Sequence, residues 1–340
     1  MTGAPAHRVA VVIPCYKVTR HILGVLAAIG PEVSLVVCVD DACPDLSGDL
    51  IERDCQDPRV RVARHAVNQG VGGAVLTGYG ICVEAGADII VKIDGDGQMD
   101  PRALPALVEP IVSGAADYTK GNRFFHIDDL SGMPPARLFG NAALSFLTKL
   151  SSGYWSLFDP TNGYTAIHAR VAALLRGDKI AKRFFFESDM LFHLGLERAV
   201  VRDVSMPARY GNEVSNLHIR AIILPYLHGH LRNTLLRLVY TYFIRDFSIA
   251  SLEIAAGLPA VLFGVIYGAL NWIHSAEAGV PSTAGTVMLA ALPTILGLQM
   301  LFSAINYDVQ NTPQHPLHRQ IGLHGAGARA RRAVSPPDPR

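Results

Sequence analysis

The chain has 340 residues, half of them hydrophobic and 17% charged, with 30 Lys and Arg against 29 Asp and Glu and a formal net charge of +1. That length holds about two domains, the basic residues gather around the apolar C-terminal part rather than over a nucleic-acid-binding face, and the apolar surplus points to membrane contact. Five cysteines without a Cys-x-x-Cys pair (Cys15, Cys38, Cys43, Cys55, Cys82) exclude a disulfide framework and fit free thiols in a reducing compartment.

The chain enters an apolar run at residues 9–13 after only a few polar residues, which predicts a first strand with no secretory signal before it. Pro14-Cys15-Tyr16-Lys17 follows, then a helix near 21–29. A second apolar run at 33–39 ends in Asp40-Asp41, and a third strand at 60–64 precedes Asn68-Gln69-Gly70-Val71-Gly72-Gly73, which opens a helix to about residue 85. A fourth strand at 88–93 ends in Asp94-Gly95-Asp96-Gly97-Gln98. Strands alternating with helices predict an α/β fold with a mostly parallel sheet flanked by helices. Acidic or glycine-rich turns after successive strands place a ligand site along one edge of that sheet.

The Asp94/Asp96 pair is the sharpest feature. Two carboxylates at i and i+2 on a strand end, with glycines keeping bulk away, suit a hard divalent cation and through it a diphosphate, although Asp-Gly-Asp-Gly is also an ordinary turn signal. The glycines at 70–73 do not make a dinucleotide fingerprint, because Val75 stands where the last glycine belongs and the turn follows the third strand rather than the first.

Residues 218–247 alternate apolar blocks with Arg220, Arg232, Arg237 and Arg245 and with aromatics, the pattern of amphipathic helices lying in a membrane interface or of a helical linker packed on the domain before it. Residues 249–272 carry one carboxylate, Glu253, and residues 283–305 carry no charge, each long enough to cross a bilayer. Arginines flank both spans and the connecting loop has none, so both termini are expected on the cytoplasmic side of the cell membrane. The division is therefore a cytoplasmic domain over 1–217, interfacial helices over 218–247, two transmembrane helices within 248–306, and a basic, disordered tail over 307–340. Small residues at Gly257, Gly264 and Gly268 make self-association of the hairpin an expectation.

From residue 9 to about 217 the motifs resemble the inverting, GT-A-fold family 2 glycosyltransferases, in particular the polyprenyl-phosphate sugar synthases of the dolichol-phosphate mannose synthase type. The resemblance implies that Pro14 and Tyr16, in Val-Ile-Pro-Cys-Tyr-Lys, touch the nucleotide, with Asp40, Asp41, Asn68, Gly70 and Asp94 completing the nucleotide site. Asp96 and Gln98, in the Asp-x-Asp-x-Gln pattern, would hold Mg²⁺ or Mn²⁺. Ala42-Cys43 and Lys17 depart from the commoner residues, leaving UDP and GDP both open as the donor's nucleotide. Arg123, in Lys-Gly-Asn-Arg-Phe, Arg137, in Arg-x-x-x-Asn, and Arg209 are implied contacts for lipid phosphate or diphosphate, suited by the guanidinium fork. Asp159, in Asp-Pro-Thr-Asn-Gly-Tyr, is implied near the donor sugar, with Glu187 and Asp189 as weaker candidates. The catalytic set so implied is Asp94, Asp96, Arg123 and Asp159.

The function expected is metal-dependent, inverting transfer of one sugar from a nucleotide-sugar donor to a polyprenyl phosphate at the cytoplasmic membrane face. The acceptor phosphate is already an anion near neutral pH, which accounts for the lack of an obvious general base. Two alternatives stand beside it: a polysaccharide-type synthase with a glycan acceptor, disfavoured by the lack of a Gln-x-x-Arg-Trp motif, and a silent membrane scaffold that keeps the fold.

Overall fold

The computed structural model describes residues 7–124, 135–206 and 219–321, with the side chains of 135–137 and 219–222 left aside. The chain divides into two compact units, residues 1–233 with 313–340, and residues 234–312.

The first unit is built on a seven-stranded sheet. Its strands are β1 (Val9–Cys15), β2 (Val33–Asp40), β3 (Val60–Arg64), β4 (Ile89–Lys92), β5 (Tyr118–Asn122), β6 (Thr165–His168) and β7 (Val201–Ser205). They lie in the order β3-β2-β1-β4-β6-β5-β7. β6 runs antiparallel to both its neighbours, while the remaining pairs are parallel. The helices of this unit are α1 (Ile22–Ala27), α2 (Ser47–Asp54), α3 (Val71–Glu84), α4 (Leu104–Val112), α5 (Pro135–Ser152), α6 (Ala169–Ala172) and α7 (Phe186–Leu196). Strand residues of alternate parity feed two cores. Ala10, Val12 and Ile90 pack under α3 and α7, whereas Val9, Val11, Ile13 and Val91 pack under α1, α2 and α4. Burial on both faces is why β1, β2 and β4 read as unbroken apolar runs.

In β4 the exception is Lys92, a charged residue with 2% of its surface exposed. It shares a face with Ile90, and the register pairs it with Thr165 at the start of β6. The antiparallel β6 thus delivers the 159–164 turn to the end of β4.

Helix α8 (Ile219–Val239) runs from the first unit into the second. Its His230 and Asn233 are buried within the first unit, where the His230 Nδ1 lies 2.9 Å from the Ser151 hydroxyl of α5 and the Asn233 amide donates to Asp189 of α7 at 2.7 Å. This part of the 218–247 segment is thus packed on the domain before it. Residues 313–321, expected in an unstructured tail, belong to the first unit as well. Buried Asp117 accepts from the Leu317 and His318 N–H groups and pairs with the His318 Nδ1 at 2.6 Å, and His318 stacks on His168 with ring centroids 4.3 Å apart.

The second unit holds the end of α8, a π-helical turn (Tyr240–Arg245), α9 (Ile249–Ala278) and α10 (Ala284–Gln310). Both long helices are apolar enough to cross a membrane, with mean hydropathy 2.0 and 1.8, and only 22% and 11% of those windows are buried. The glycines noted for self-association close the hairpin itself. A Cβ on Gly257 would sit 3.0 Å from the Gly297 carbonyl, one on Gly264 2.3 Å from the Thr294 hydroxyl, and one on Gly268 3.1 Å from the Ala290 Cβ. At the base of the hairpin the Arg237 guanidinium pairs with both oxygens of Asp308, at 2.7 and 2.9 Å.

Candidate active site

The turns after β1 and β2 lie side by side, because Cys15 pairs with Asp40 in the parallel register. Pro14 is half-buried and the Tyr16 ring is 45% exposed, with the Lys17 ammonium 5.6 Å from its centroid. Lys17 and Ala42 both adopt left-handed backbone (φ 59° and 51°), and the Lys17 N–H donates to the Cys43 sulfur at 3.1 Å, tying the two turns together. Asp40 and Asp41 are both buried. Asp40 accepts from the Cys43 and Gly48 N–H groups at 2.8 and 2.7 Å. Asp41 accepts from the Gln69 and Gly70 N–H groups, each at 2.8 Å, and lies 2.7 Å from the His65 Nδ1. These carboxylates therefore tie the turns at this strand edge together through the backbone.

Asn68 joins the same clamp by donating its amide to the Asp41 carbonyl at 3.2 Å. Gly70 has φ +88°, and a Cβ there would lie 2.5 Å from the Lys182 carbonyl. The Gly72 and Gly73 N–H groups at the start of α3 both donate to that carbonyl, at 2.9 and 3.4 Å. The first N–H groups of α3 are thus taken up by a backbone carbonyl rather than left open to an anion.

At the end of β4, Asp94 and Asp96 are half-buried and Gln98 is exposed. The Gln98 N–H donates to Asp96 Oδ1 at 3.0 Å, and Gly97, at φ +76°, makes the turn. Among the described residues no three His, Cys, Asp or Glu side chains form a metal-holding cluster. Asp94, Asp96 and Gln98 are oxygen donors of the kind Mg²⁺ and Mn²⁺ take, in a number that leaves room for diphosphate and water ligands. Lys92 Nζ lies 2.9 Å from Asp94 Oδ1 and 3.5 Å from Glu187 Oε1. Burial works against the lysine charge, but the two carboxylates outweigh it and hold its pKa above the ordinary range. Burial also pushes the Glu187 carboxyl up against the pull of Lys92.

The 159–164 turn completes the edge. Asp159 has no exposed surface and a left-handed backbone (φ 51°). Arg123, just past β5, meets it with a two-pronged ion pair, Nε to Oδ2 and Nη2 to Oδ1, both 2.8 Å. Burial raises the Asp159 pKa, yet the Arg123 fork more than offsets this and holds the carboxyl below the usual range. Buried Lys120 donates to the carbonyls of Phe158 and Asp159, fixing the turn from beneath. Arg137 lies on the first turn of α5, its side chain outside the described residues, as is Arg209 altogether. Asp189 is set apart from the strand edge: it accepts from the Ala181 N–H at 2.6 Å and from Asn233, so it anchors α7 to α8.

A family model described as glycosyl transferase family 2 matches residues 10–175. Undecaprenyl-phosphate mannosyltransferase of Micrococcus luteus is 34% identical over 190 residues, covering 54% of this chain and 76% of that protein. The chain belongs to glycosyl transferase family 2.

This family 2 glycosyltransferase is also 35% identical over 126 residues to the UDP-N-acetylglucosamine–dolichyl-phosphate N-acetylglucosaminyltransferase of Methanococcus voltae, covering 37% of this chain and 50% of that one. Its fold resembles glucosyl-3-phosphoglycerate synthase from Mycobacterium tuberculosis, with TM-score 0.52 and 19% identity over 67% of this chain and 80% of that one. The structure adds Lys92, Lys120 and His65 to the residues this glycosyltransferase site is built from. Lys92 left a signal, as a charge within an apolar strand two residues before Asp94; His65 and Lys120 left none apart from their neighbours in space.

Proposed function

We propose that this glycosyltransferase moves one sugar from a UDP- or GDP-sugar to a polyprenyl phosphate at the cytoplasmic face of a cell membrane, with inversion. The observation that carries the reading is the pair Asp94 and Asp96 at the end of β4, set beside the rigid Asp159–Arg123 turn in a chain related to an undecaprenyl-phosphate mannosyltransferase. Pro14, Tyr16, Asp40, Asp41, Asn68 and Gly70 form or shape the nucleotide pocket. Asp96 and Gln98 would hold Mg²⁺ or Mn²⁺, which supplies Lewis-acid stabilisation of the departing diphosphate.

In the reaction an acceptor phosphate oxygen bonds to the anomeric carbon as the bond from that carbon to the donor's diphosphate oxygen breaks. The nucleophile is an anion, so the protein's part is to orient it and exclude water rather than take a proton. Asp159, fully buried and held ionised by the Arg123 fork, would act on the donor sugar by fixing the 159–164 turn beside it. Arg123, Arg137 and Arg209 are assigned to lipid phosphate or diphosphate.

Membrane placement is supported by α9 and α10, by their length and composition. It is also supported by the inverted character of α8, whose inward side chains include His230, Asn233 and Arg237 while Leu224, Leu227, Leu231 and Leu235 are exposed. A leucine-rich outer face on a basic helix is what an interfacial helix presents to lipid. In this reading residues 1–217 are the cytoplasmic catalytic domain, 218–247 interfacial, and 248–306 the transmembrane hairpin.

Replacing Asp96 tests the reading. Asp96→Ala is expected to lower turnover by at least about a hundredfold, the scale of losing a principal charge-stabilising contact, with the protein still folded and in the membrane. Full activity in that variant, measured as sugar transferred into lipid extract, would remove Asp96 from the metal site.

A further inference from the structure

The Lys92 ammonium is a buried charge at the end of β4, 2% exposed, and the roles assigned above do not include it. A stranded buried lysine is strongly destabilising, and this one is compensated by carboxylates that face it from two elements. Asp94, two residues along the chain and therefore on the same side of the strand, lies at 2.9 Å, and Glu187, in the first turn of α7, at 3.5 Å. A third segment closes on the same point. A Cβ on Gly163 would fall 2.2 Å from Lys92 Nζ and 2.7 Å from Asp94 Oδ2, so the turn that carries Asp159 passes directly against the pair, and a side chain there would displace it. The end of β4, the 159–164 turn and the start of α7 thus meet at one ammonium group.

We propose that Lys92 is a positioning residue for donor binding: it holds the Asp94 carboxylate in one orientation and ties it to Glu187. The strand-end carboxylate, the turn and α7 then answer a bound nucleoside diphosphate as one unit. This role rests on the nucleotide-sugar reading. It also explains why a lysine is kept where β4 otherwise needs an apolar residue, since a methionine there would leave Asp94 to rotate and Glu187 without a counter-charge.

The test is calorimetric binding of UDP and of GDP, each with Mn²⁺, to detergent-purified full-length protein, alongside thermal unfolding. Lys92→Met is expected to lower the melting temperature and weaken binding of the cognate nucleotide by about ten-fold or more, the equivalent of one well-made polar contact. In Lys92→Met/Glu187→Gln the stranded carboxylate is gone, so the melting temperature returns close to wild type while binding stays weak, because Asp94 still lacks its anchor. A double variant that regains both stability and affinity would overturn the proposal, showing Lys92 to be only a counter-charge for Glu187. Should the double variant not fold, Gly163→Ala keeps every charge and displaces only the pair; the same loss of affinity is expected, and unchanged affinity overturns the proposal. Wild-type protein that binds neither nucleotide overturns the nucleotide-sugar reading itself, and this role with it.

Discussion

Asp41, Asp40 and Asp159 show how carboxylates that look solvent-facing in a turn-rich sequence are drawn into the fold. Each is buried, and each is satisfied by partners distant in sequence: Asp41 by His65, Gln69 and Gly70, Asp40 by Gly48, Asp159 by Arg123. Arg123→Ala would leave Asp159 as an uncompensated buried charge, a change that costs about 3 kcal/mol when a buried pair is broken. For a domain of this size that corresponds to roughly 6 to 12 °C in melting temperature. Arg123→Lys keeps a charge but loses the fork, so a smaller loss is expected, and thermal unfolding of the two variants side by side checks it. Equal and negligible shifts would show the pair to be a surface ion pair of little consequence. The Asp94/Asp96 pair and the Asp-Pro-Thr-Asn-Gly turn were legible as motifs in the chain. Arg123 was legible as a motif residue too, but which groups pair was not, because Arg123 meets Asp159, Lys92 meets Asp94 and Lys120 meets the Asp159 carbonyl through strand pairing that no local pattern records.

At the scale of elements, β1 to β4 were legible because buried parallel strands are continuous apolar runs. β5 to β7 were not, since Tyr118-Thr119-Lys120-Gly121-Asn122 and Val201-Arg202-Asp203-Val204-Ser205 mix polar and apolar residues. Those strands are held by side-chain networks as much as by apolar burial. β6 ends in His168, whose Nδ1 accepts from the Arg170 N–H and so caps α6 in its neutral form. Burial, with the nearby His318 and Arg170, lowers the His168 pKa to about 4, and burial alone lowers that of His230 to about 4. A histidine whose folded pKa is depressed contributes stability that is present above its unfolded pKa, about 6.5, and is lost as pH falls toward 4, because the unfolded chain takes the proton first. The melting temperature is therefore expected to fall as pH drops through this window. His168→Asn keeps a capping oxygen and removes one of these titrations, so its pH dependence is expected to be visibly shallower. An unchanged slope in thermal unfolding from pH 7 to pH 5 would contradict that assignment.

Across the whole molecule, hydropathy alone marked the two long helices, and charge placement suggested their orientation. What it did not show is that the chain returns to the first unit after α10, where Leu317 and His318 close on Asp117. The Gly, Ala, Arg and Pro bias after residue 313 masks a short docking segment in which Leu317 packs on the core, His318 pairs with Asp117 and Arg319 donates to the Ser113 carbonyl. Nor did it show that the glycines of α9 are used against α10, which leaves any self-association to other surfaces. The catalytic unit, its family and the apolar hairpin together give the account its central claim, that a lipid phosphate receives the sugar.

That claim is tested most directly by measuring nucleoside diphosphate release from detergent-purified protein given UDP- and GDP-sugars with Mg²⁺ or Mn²⁺, with and without undecaprenyl phosphate. The account predicts release that needs both the metal and the lipid, from one donor class, with the sugar recovered in the organic phase. Release that ignores the lipid, or none from folded protein with any donor, would contradict it.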